Sequence, residues 1–467
     1  MRKIIMILTL LLTITLSACS IISNPNAKTN SKDEIETTND QSENSKNVTA
    51  YLDKNNDVYR VNITTENNEI PNNKEIYING WVNITDQKDT ETILETQPMK
   101  IRLRGNSTSA PEKKPFKIKF NNKVSIFGLP EAKDWVLLAN YFDKTNLRNY
   151  LAYLTANKLE NLDFQPSSIF VDVYLNNEYF GLYLLCEQIE VNAGRVDIKN
   201  HYSENGITSF LIEADTRAQD EYPGMEDLCY IKTNNYTFSF KYPDNDDYLE
   251  ALEQNNQVYI NEYLNNISWL KDFLLTVEKV IASKEYYEFS EYIDVESFVD
   301  YYLVQEFFKN VDIGSLSQFY VIDQSQDKVR LACGPVWDFD IAAGVIDKTS
   351  EEYAHYANTE LFVRNFDPFY RQLFANDVFL AHVKYRYKEV RKYFEEALEE
   401  LDIARNVLNL AQTRNIRRWP LTTERIYWIE IYAYSRKYLW LKSLNEHYNL
   451  LFETLVEQLA ILDKHYL

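Results

Sequence analysis

The sequence predicts an α+β fold in which a β-rich first half is followed by a helical second half. Between about residues 51 and 242, short segments alternate apolar and polar residues, which is typical of strands. After Pro243 the apolar residues recur with a period of about 3.6, which indicates amphipathic helices. The change of period at one point in the chain therefore predicts two regions of different secondary structure.

The first 19 residues have the three parts of a secretory signal. Basic residues at Arg2 and Lys3 precede an apolar stretch over residues 4–16, and small residues then lead to Cys19. The apolar stretch is too short to span a membrane, and the residues before Cys19 resemble the lipobox of bacterial lipoproteins. This predicts a diacylated Cys19 that anchors the protein to the extracytoplasmic face of the cell membrane. An ordinary signal peptide with a chance cysteine is the alternative.

Composition divides the chain into five predicted segments. Residues 1–19 are the signal, and residues 20–48 are polar enough to predict a disordered tether. Residues 49–243 form the β-rich region. Residues 244–365 form a helical region that also contains a short hairpin, and residues 366–467 continue it as a C-terminal helical extension.

Charge and cysteine usage exclude several classes of protein. A formal net charge of −21 argues against a nucleic-acid or anionic-membrane partner, because phosphate groups are bound by an excess of Lys and Arg. Cys186, Cys229 and Cys333 are scattered and predict no disulfide framework, and Cys186 and Cys333 lie in apolar runs typical of a core. The small number of histidines, five, and the absence of a Cys/His cluster in the sequence argue against a zinc site.

Three aspartates stand where they can carry chemistry. Asp312 follows a predicted helix over residues 295–310, against the local field of the helix dipole. Asp338 and Asp340 lie two residues apart in a turn after an apolar strand, and both carboxylates can face one cation. Magnesium prefers such ligands together with phosphates and water. The alternative is that all three are ordinary turn or N-cap residues.

A polar loop and two lysines provide candidate contacts for phosphates. Arg104 leads from a strand into a loop with Asn106 and Ser107, and the next strand places Lys117 and Lys119 on one face. Cationic side chains beside a Gly/Asn/Ser loop suit an anionic ligand. Lysines on the solvated outer face of a strand are the alternative for at least one of the two.

Five motifs in the chain, in this order, carry a family resemblance. They are residues 101–120 (IRLRGNSTSAPEKKPFKIKF), 127–149 (FGLPEAKDWVLLANYFDKTNLRN), 170–189 (FVDVYLNNEYFGLYLLCEQI), 300–312 (DYYLVQEFFKNVD) and 334–340 (GPVWDFD). With these motifs the chain resembles the CotH family, the spore-coat protein H kinases. The exported, lipid-anchored character would make it a lipoprotein member of that family.

The resemblance implies a bilobal protein-kinase-like fold, with ATP and Mg²⁺ bound between a β-rich N-terminal lobe and a helical C-terminal lobe. Asp312 would orient or deprotonate the acceptor hydroxyl, and Asp338 and Asp340 would bind the metal. Lys117 or Lys119 would contact phosphates, the Arg104 loop would cover them, and Glu187 would lie near the adenine. The nucleotide-binding residues implied are Arg104, Asn106, Ser107, Lys117, Lys119 and Glu187.

The chain departs from the expected pattern at three points, and one of them is that Glu187-Gln188 stands where Glu-Lys is expected. The predicted helix over residues 146–159 contains no Glu to pair with a strand lysine, and Glu160 is only a remote candidate. Asp312 is not followed by an Asn five residues on, and Ser317 or Gln318 would have to serve instead.

Three functions compete for these residues. The favoured one is a membrane-anchored CotH-like atypical protein kinase that transfers a phosphoryl group from Mg-ATP to a surface or secreted protein. The second is a non-catalytic surface binding protein or adhesin, which suits a chain with 35 Tyr. The weakest takes the carboxylates as a glycosidase pair, which the nearby Lys and Arg residues disfavour.

Overall fold

Seven strands from the first half of the chain close into a barrel. They are β1 (Tyr59–Thr65), β2 (Ile78–Thr85), β3 (Thr92–Leu103), β4 (Phe116–Val124), β5 (Ala132–Leu138), β6 (Ser168–Leu175) and β7 (Glu178–Glu187). Neighbours follow the order β1-β2-β3-β4-β5-β7-β6, and β1 pairs in parallel with β6, with Val61 opposite Val173, to complete the circle. This computed structural model describes residues 46–347, 349–350, 359–422 and 424–467.

Alternate side chains of these strands fill the barrel. Ile101, Phe116, Trp135 and Val171 are all fully buried in one cluster. Because successive side chains of a strand point to opposite faces, the alternation in the sequence places these residues in a common interior. The barrel is therefore a packed core.

A second sheet joins strands from both halves of the chain. Its strands are β8 (Phe210–Ala214), β9 (Tyr230–Lys232), β10 (Thr237–Tyr242), β11 (Gln318–Ile322) and β12 (Leu331–Cys333). Their spatial order is β12-β11-β8-β10-β9. Strand β11 pairs antiparallel with β8, with Tyr320 opposite Ile212. The hairpin that follows Asp312 therefore extends a sheet that begins in the first half.

Helices form much of the remaining described structure. They are α1 (Arg148–Ala156), α2 (Ala218–Glu221), α3 (Asn245–Glu253), α4 (Gln257–Ser283), α5 (Tyr286–Phe289), α6 (Val295–Phe308), α7 (Phe362–Phe366), α8 (Pro368–Leu373), α9 (Asp377–Val407), α10 (Asn409–Arg418), α11 (Arg436–Trp440) and α12 (Leu444–Tyr466). Within the described ranges, none of them combines the length and the apolar character needed to cross a membrane.

Helix α6 lies at the centre of the larger hydrophobic core and is buried on all sides. Two of its acidic residues are paired: Asp300 accepts from Arg386 Nε at 2.7 Å, and Glu306 accepts from the Phe362 backbone N at 2.6 Å. A helix buried all round needs such partners for its polar side chains. Asp312 lies four residues after the end of this buried helix, which holds the start of its loop in place.

The predicted bilobal protein-kinase-like fold is wrong. The β-rich region closes into a barrel, and the second half is not a helical lobe, because β11 and β12 form one sheet with β8, β9 and β10. The pairings of β1 with β6 and of β8 with β11 join strands that are distant in sequence. Periodicity reports local structure only, so it carries no signal for either pairing.

Arg148, the first residue of α1, connects the chain after β5 to the segment after the Asp-Phe-Asp turn. Its side chain is fully buried and forms an ion pair with Asp143. Its Nε and Nη2 donate to the carbonyl oxygens of Ala342 and Ala343, each at 2.9 Å. A buried guanidinium requires these acceptors because water does not reach it. Arg148 thus determines where the turn lies relative to α1.

We expect Arg148→Met to destabilise the protein strongly. The substitution leaves Asp143 as a buried charge without a partner, which typically lowers the free energy of unfolding by about 3–5 kcal/mol. Urea denaturation followed by circular dichroism measures this change. The exposed Arg371 of α8 provides the control, since Arg371→Met should change the free energy of unfolding by less than about 0.5 kcal/mol. Similar unfolding midpoints for both variants would contradict the role of Arg148.

Candidate functional site

A cleft of about 380 Å³ lies between the barrel and the second sheet. It is bordered by the loop after β3, the residues after β8 and the turn after β12. Of the predicted site residues, the structure brings six together along its walls: Arg104, Asn106, Ser107, Lys117, Asp338 and Asp340.

Asp338 has a left-handed backbone conformation, with a φ of 65°. A non-glycine residue in this region is strained and must be held by its neighbours. Asn310 Nδ2 donates to the Asp338 carbonyl oxygen at 3.3 Å, and Ser317 Oγ donates to the Asp338 carboxylate at 3.4 Å. Residues on both sides of Asp312 therefore hold the turn that directs Asp338 into the cleft.

The charge of Asp338 raises the pKa of both Asp312 and Asp340. Burial, followed by the charges of Asp338 and Asp312, raises the pKa of Asp340 well above its usual value. Burial and the charge of Asp338 raise the pKa of Asp312 to about 7. Like charges at close range in a desolvated site disfavour simultaneous ionisation. The side chain of Asp312 does not line the cleft wall, and what links it to the pair is its electrostatic interaction with Asp338 and Asp340.

Two arginines oppose these carboxylates. The Arg104 guanidinium lies 5.5 Å from the centre of the Trp337 ring, and no carboxylate of the described residues forms an ion pair with it. Burial lowers the pKa of Arg104, against the charge of Asp338. Burial raises the pKa of Asp338, while Arg104 and Arg217 act to lower it. The unpaired guanidinium of Arg104 is suited to an anionic ligand.

The loop after Arg104 depends on a glycine. Gly105 has a φ of 80°, and a Cβ atom there would lie 2.1 Å from Thr108 Oγ1. A side chain at this position is therefore excluded by both conformation and space. The loop exposes Asn106 and Ser107 at the edge of the cleft, and Asn106 Oδ1 accepts from Lys74 Nζ at 3.2 Å.

The two candidate lysines differ in position. Lys117 lines the cleft and forms an ion pair with Asp134 at 3.0 Å. Lys119, two residues further along β4, is exposed and lies outside the cleft lining. Of the two, the structure brings only Lys117 to the site.

Glu187 points away from the cleft. Its side chain is buried at the end of β7, accepts from the Ser167 backbone N at 3.0 Å and lies 3.7 Å from Arg195. Burial raises the pKa of Glu187. The next two residues, Gln188 and Ile189, line the cleft instead.

Ser317, Gln318 and Glu160 were the candidates for the positions at which the chain departs from the family pattern. Ser317 contacts the Asp338 carboxylate, whereas the Gln318 side chain accepts from the Gly314 backbone N at 2.9 Å. Glu160 forms an ion pair with Arg386 at 3.1 Å and is not among the cleft residues. Cys19 lies outside the described residues.

Sequence reasoning missed Arg217. Its Nε donates to Asp215 Oδ1 at 3.1 Å, and the backbone N of Thr216 donates to the Ser315 carbonyl oxygen at 3.0 Å, so its loop is joined to the loop of Asp312. A signal was present, because Asp215 and Arg217 directly follow the apolar strand β8. The same pattern, an apolar strand followed by charged residues, predicts Asp338 as a site residue.

Asn149 of α1 was also missed. Its Oδ1 accepts from the Phe339 backbone N at 2.7 Å, and its Nδ2 donates to Asn140 Oδ1 at 2.9 Å. Both asparagines line the cleft. Asn149 therefore holds the backbone between Asp338 and Asp340. No feature of the sequence distinguishes it from an ordinary helix residue.

The carboxylates of the cleft fit a divalent cation that takes its other ligands from a bound anion and from water. Within the described residues, no group of three or more His, Cys, Asp or Glu side chains is arranged to hold a metal. Mg²⁺ usually takes one or two carboxylates, with phosphate oxygens and water in the other positions. Asp338 and Asp340 are two such carboxylates on the cleft wall, and a cation would relieve their mutual repulsion.

Cationic side chains that face crowded carboxylates in one cleft are typical of proteins that bind an anionic ligand together with a cation. The chain belongs to the CotH family: the family model described as CotH kinase protein matches residues 101–453. This match confirms the resemblance and includes every predicted cleft residue. No curated protein matches the chain.

We expect the stability of the protein to fall as the pH rises through the pKa of Asp312. The folded pKa of about 7 lies above the ordinary value, so the folded state binds this proton more tightly than the unfolded state, and that stabilisation is lost between about pH 4 and pH 7. Asp312→Asn removes this proton uptake. The free energy of unfolding of the wild type should therefore decrease relative to Asp312→Asn between pH 5 and pH 8.

Urea denaturation at both pH values measures this difference. The exposed Asp402 provides a matched control, because Asp402→Asn should follow the wild type. Parallel pH profiles for Asp312→Asn and the wild type would show that Asp312 titrates normally.

Proposed function

We propose that the protein is a CotH-type transferase that moves a phosphoryl group from ATP to a hydroxyl group of a protein and requires Mg²⁺. The observation that carries the proposal is the cleft in which Arg104 and Arg217 face the carboxylates of Asp338 and Asp340, with Asp312 beside them. Its volume of about 380 Å³ is that of a small-molecule site. Membership of a family described as kinases supports this reading.

We assign Asp312 as the group that orients the acceptor hydroxyl and takes its proton. A carboxylate with a pKa of about 7 suits proton transfer near neutral pH. Its backbone is fixed, because the backbone N atoms of Ser315 and Leu316 donate to the Asp312 carbonyl oxygen at 3.1 and 3.0 Å. Phosphoryl transfer depends mainly on such positioning and on electrostatic stabilisation.

We assign the remaining cleft residues to the phosphates and the metal. Asp338 and Asp340 would hold Mg²⁺, which supplies positive charge to the phosphates when bound. Arg104 and Arg217 would bind phosphate oxygens, and the loop after Gly105 would cover them. Lys117 is a further cation for this purpose, but its ion pair with Asp134 would have to rearrange.

We further propose that the protein is anchored to the outer face of the cell membrane through Cys19 and acts on a surface or secreted protein. The signal-like residues 1–19 and the lipobox-like ending at Cys19 support this location. The formal net charge of −21 supports a protein acceptor over a nucleic acid.

A non-catalytic binding protein is the second candidate. A separate cavity of about 400 Å³ favours it, because Tyr202, Tyr242 and Tyr259 line that cavity. Tyrosine rings combine apolar area with a polar hydroxyl and suit contacts with saccharides or proteins. Such a protein would bind its partner in this cavity, and its acidic cleft would catalyse no reaction.

We expect Mg-ATP to stabilise the wild type against heat and Asp338→Asn to lose this stabilisation. A ligand at about 100 times its dissociation constant adds about 2.7 kcal/mol to the free energy of unfolding. Thermal denaturation with and without Mg-ATP measures the effect. The exposed Asp327, on the hairpin between β11 and β12, provides the control, since Asp327→Asn should keep the full stabilisation.

The same proteins test transfer to an acceptor. Asp312→Asn should keep the Mg-ATP stabilisation but lose at least about 100-fold in the rate of label transfer from γ-labelled ATP. Transfer from α-labelled ATP would replace phosphoryl by adenylyl transfer. A wild type that no nucleotide stabilises, and that instead binds a saccharide or protein, would support the second candidate.

We expect Cys19 to be the acylation site. In cells supplied with labelled palmitate, the wild type should incorporate label and remain with the membrane fraction, and Cys19→Ser should do neither. Cys229→Ser is the matched control, because Cys229 is a buried free cysteine of the folded part. Label in Cys19→Ser would mean that the lipobox assignment is wrong.

A further inference from the structure

Trp337 directly precedes Asp338 and lines the cleft, and its side chain is buried. Its ring is stacked on the ring of Tyr153 of α1, with the two centres 5.4 Å apart and an angle of 11° between the planes. The Arg104 guanidinium lies 5.5 Å from the centre of the Trp337 ring. Trp337 therefore connects a residue of α1 to the residue that leads into the β3–β4 loop.

Hydrogen bonds around the Trp337 ring hold it in place. Two residues further along the chain, the backbone N of Phe339 donates to Asn149 Oδ1 at 2.7 Å. The hydroxyl of Tyr153 donates to the same oxygen at 3.3 Å, and the Tyr153 side chain is buried. Close packing of this kind leaves a side chain little freedom to move. The Trp337 ring is therefore a fixed surface for its neighbours.

The Arg104 side chain has no polar partner to hold it. Within the part of the chain that the structure describes, its guanidinium forms neither a hydrogen bond nor an ion pair. The backbone N of Arg104 donates to the Pro115 carbonyl oxygen at 3.2 Å, which fixes only the start of the side chain. An aromatic ring attracts a guanidinium through its face and leaves the N–H groups available. Trp337 therefore supports Arg104 without occupying the donors that a phosphate group needs.

The carboxylate of Asp338 competes with a ligand for Arg104. Burial lowers the pKa of Arg104 and the charge of Asp338 opposes this shift, so the two charges act on each other. Arg104 and Asp338, both described by the structure, nevertheless form no ion pair. Lys117 of the same cleft differs, because its Nζ lies 3.0 Å from Asp134 Oδ1. An anion that binds Arg104 therefore has no ion pair to break.

We propose that Trp337 is a positioning residue for Arg104. Its ring holds the guanidinium where an anionic ligand can reach it and keeps it apart from the Asp338 carboxylate. Without the ring, Arg104 would be free to pair with Asp338, and a phosphate group would then have to displace that carboxylate. The inference rests on the proposed function, in which Arg104 binds phosphate oxygens. It adds a residue that sets the affinity of the cleft for an anion by acting through Arg104.

Calorimetric titration of the full chain with inorganic tripolyphosphate, in the absence of Mg²⁺, tests the proposal. Trp337→Met replaces the ring by an adaptable side chain and should weaken binding about tenfold, which is the order of a desolvated cation–π contact. Trp337→Phe keeps an aromatic face and should bind within about threefold of the wild type. Thermal unfolding shows whether each variant is folded, and Trp337→Leu takes the place of Trp337→Met if the latter does not fold.

A double-mutant cycle with Arg104 separates positioning from packing. Arg104→Gln alone should weaken tripolyphosphate binding at least about tenfold, because hydrogen bonds from a charged group are lost. In the Arg104→Gln protein, Trp337→Met should change the affinity by less than about twofold, because the ring then has no cation to hold. Trp269→Met is the matched control. Trp269 of α4 is stacked on Phe273, with ring centres 5.1 Å apart, and does not line the cleft, so this variant should bind as the wild type does.

The outcomes distinguish this inference from the proposed function. A tenfold loss on Trp337→Met that persists in the Arg104→Gln protein would overturn the inference, because the ring would then act through packing alone. Equal affinity of the wild type and Trp337→Met would also overturn it and would leave the proposed function intact. The expected coupling without label transfer from γ-labelled ATP would support the inference and contradict the transferase. A wild type that binds no tripolyphosphate would contradict both.

Discussion

The buried contacts of Arg148 are those on which the rest of the cleft depends. This side chain joins Asp143, which follows the last residues of β5, to Ala342 and Ala343, which follow Asp340. The next residue, Asn149, accepts from the backbone of Phe339. Two consecutive residues of one short helix therefore hold the acidic wall of the cleft against the barrel, whose β3–β4 loop carries Arg104.

The cleft concentrates features that are unfavourable for folding. Asp338 has a strained backbone, Asp312 and Asp340 are partly desolvated beside another carboxylate, and Arg104 has no ion-pair partner among the described residues. Each feature costs free energy that the barrel core and the core around α6 have to offset. Strain and perturbed ionisation that occur together in a cavity are characteristic of functional sites.

Local sequence patterns predicted the elements better than their assembly. The short hairpin predicted within residues 244–365 occurs as β11 and β12. The polar loop after β3 and the aspartates after β12 meet in one cleft because each follows a strand end. Glu187 could not be placed in this way, because its direction depends on how β7 pairs with β5 and β6 inside the closed barrel. The bilobal expectation failed for the same reason: barrel closure and the β8–β11 pairing are long-range contacts.

The second sheet also constrains the order in which the site is assembled. Both arginines that oppose the carboxylates, Arg104 and Arg217, are present once residue 217 has been synthesised. The acidic wall requires residue 340, and β11 can pair with β8 only after both strands have been synthesised. Pairing of strands so distant in sequence is intrinsically slow. A chain that emerges with its N-terminus first would therefore fold its barrel before it has a cleft. Any activity of the cleft would be absent until most of the polypeptide had been synthesised.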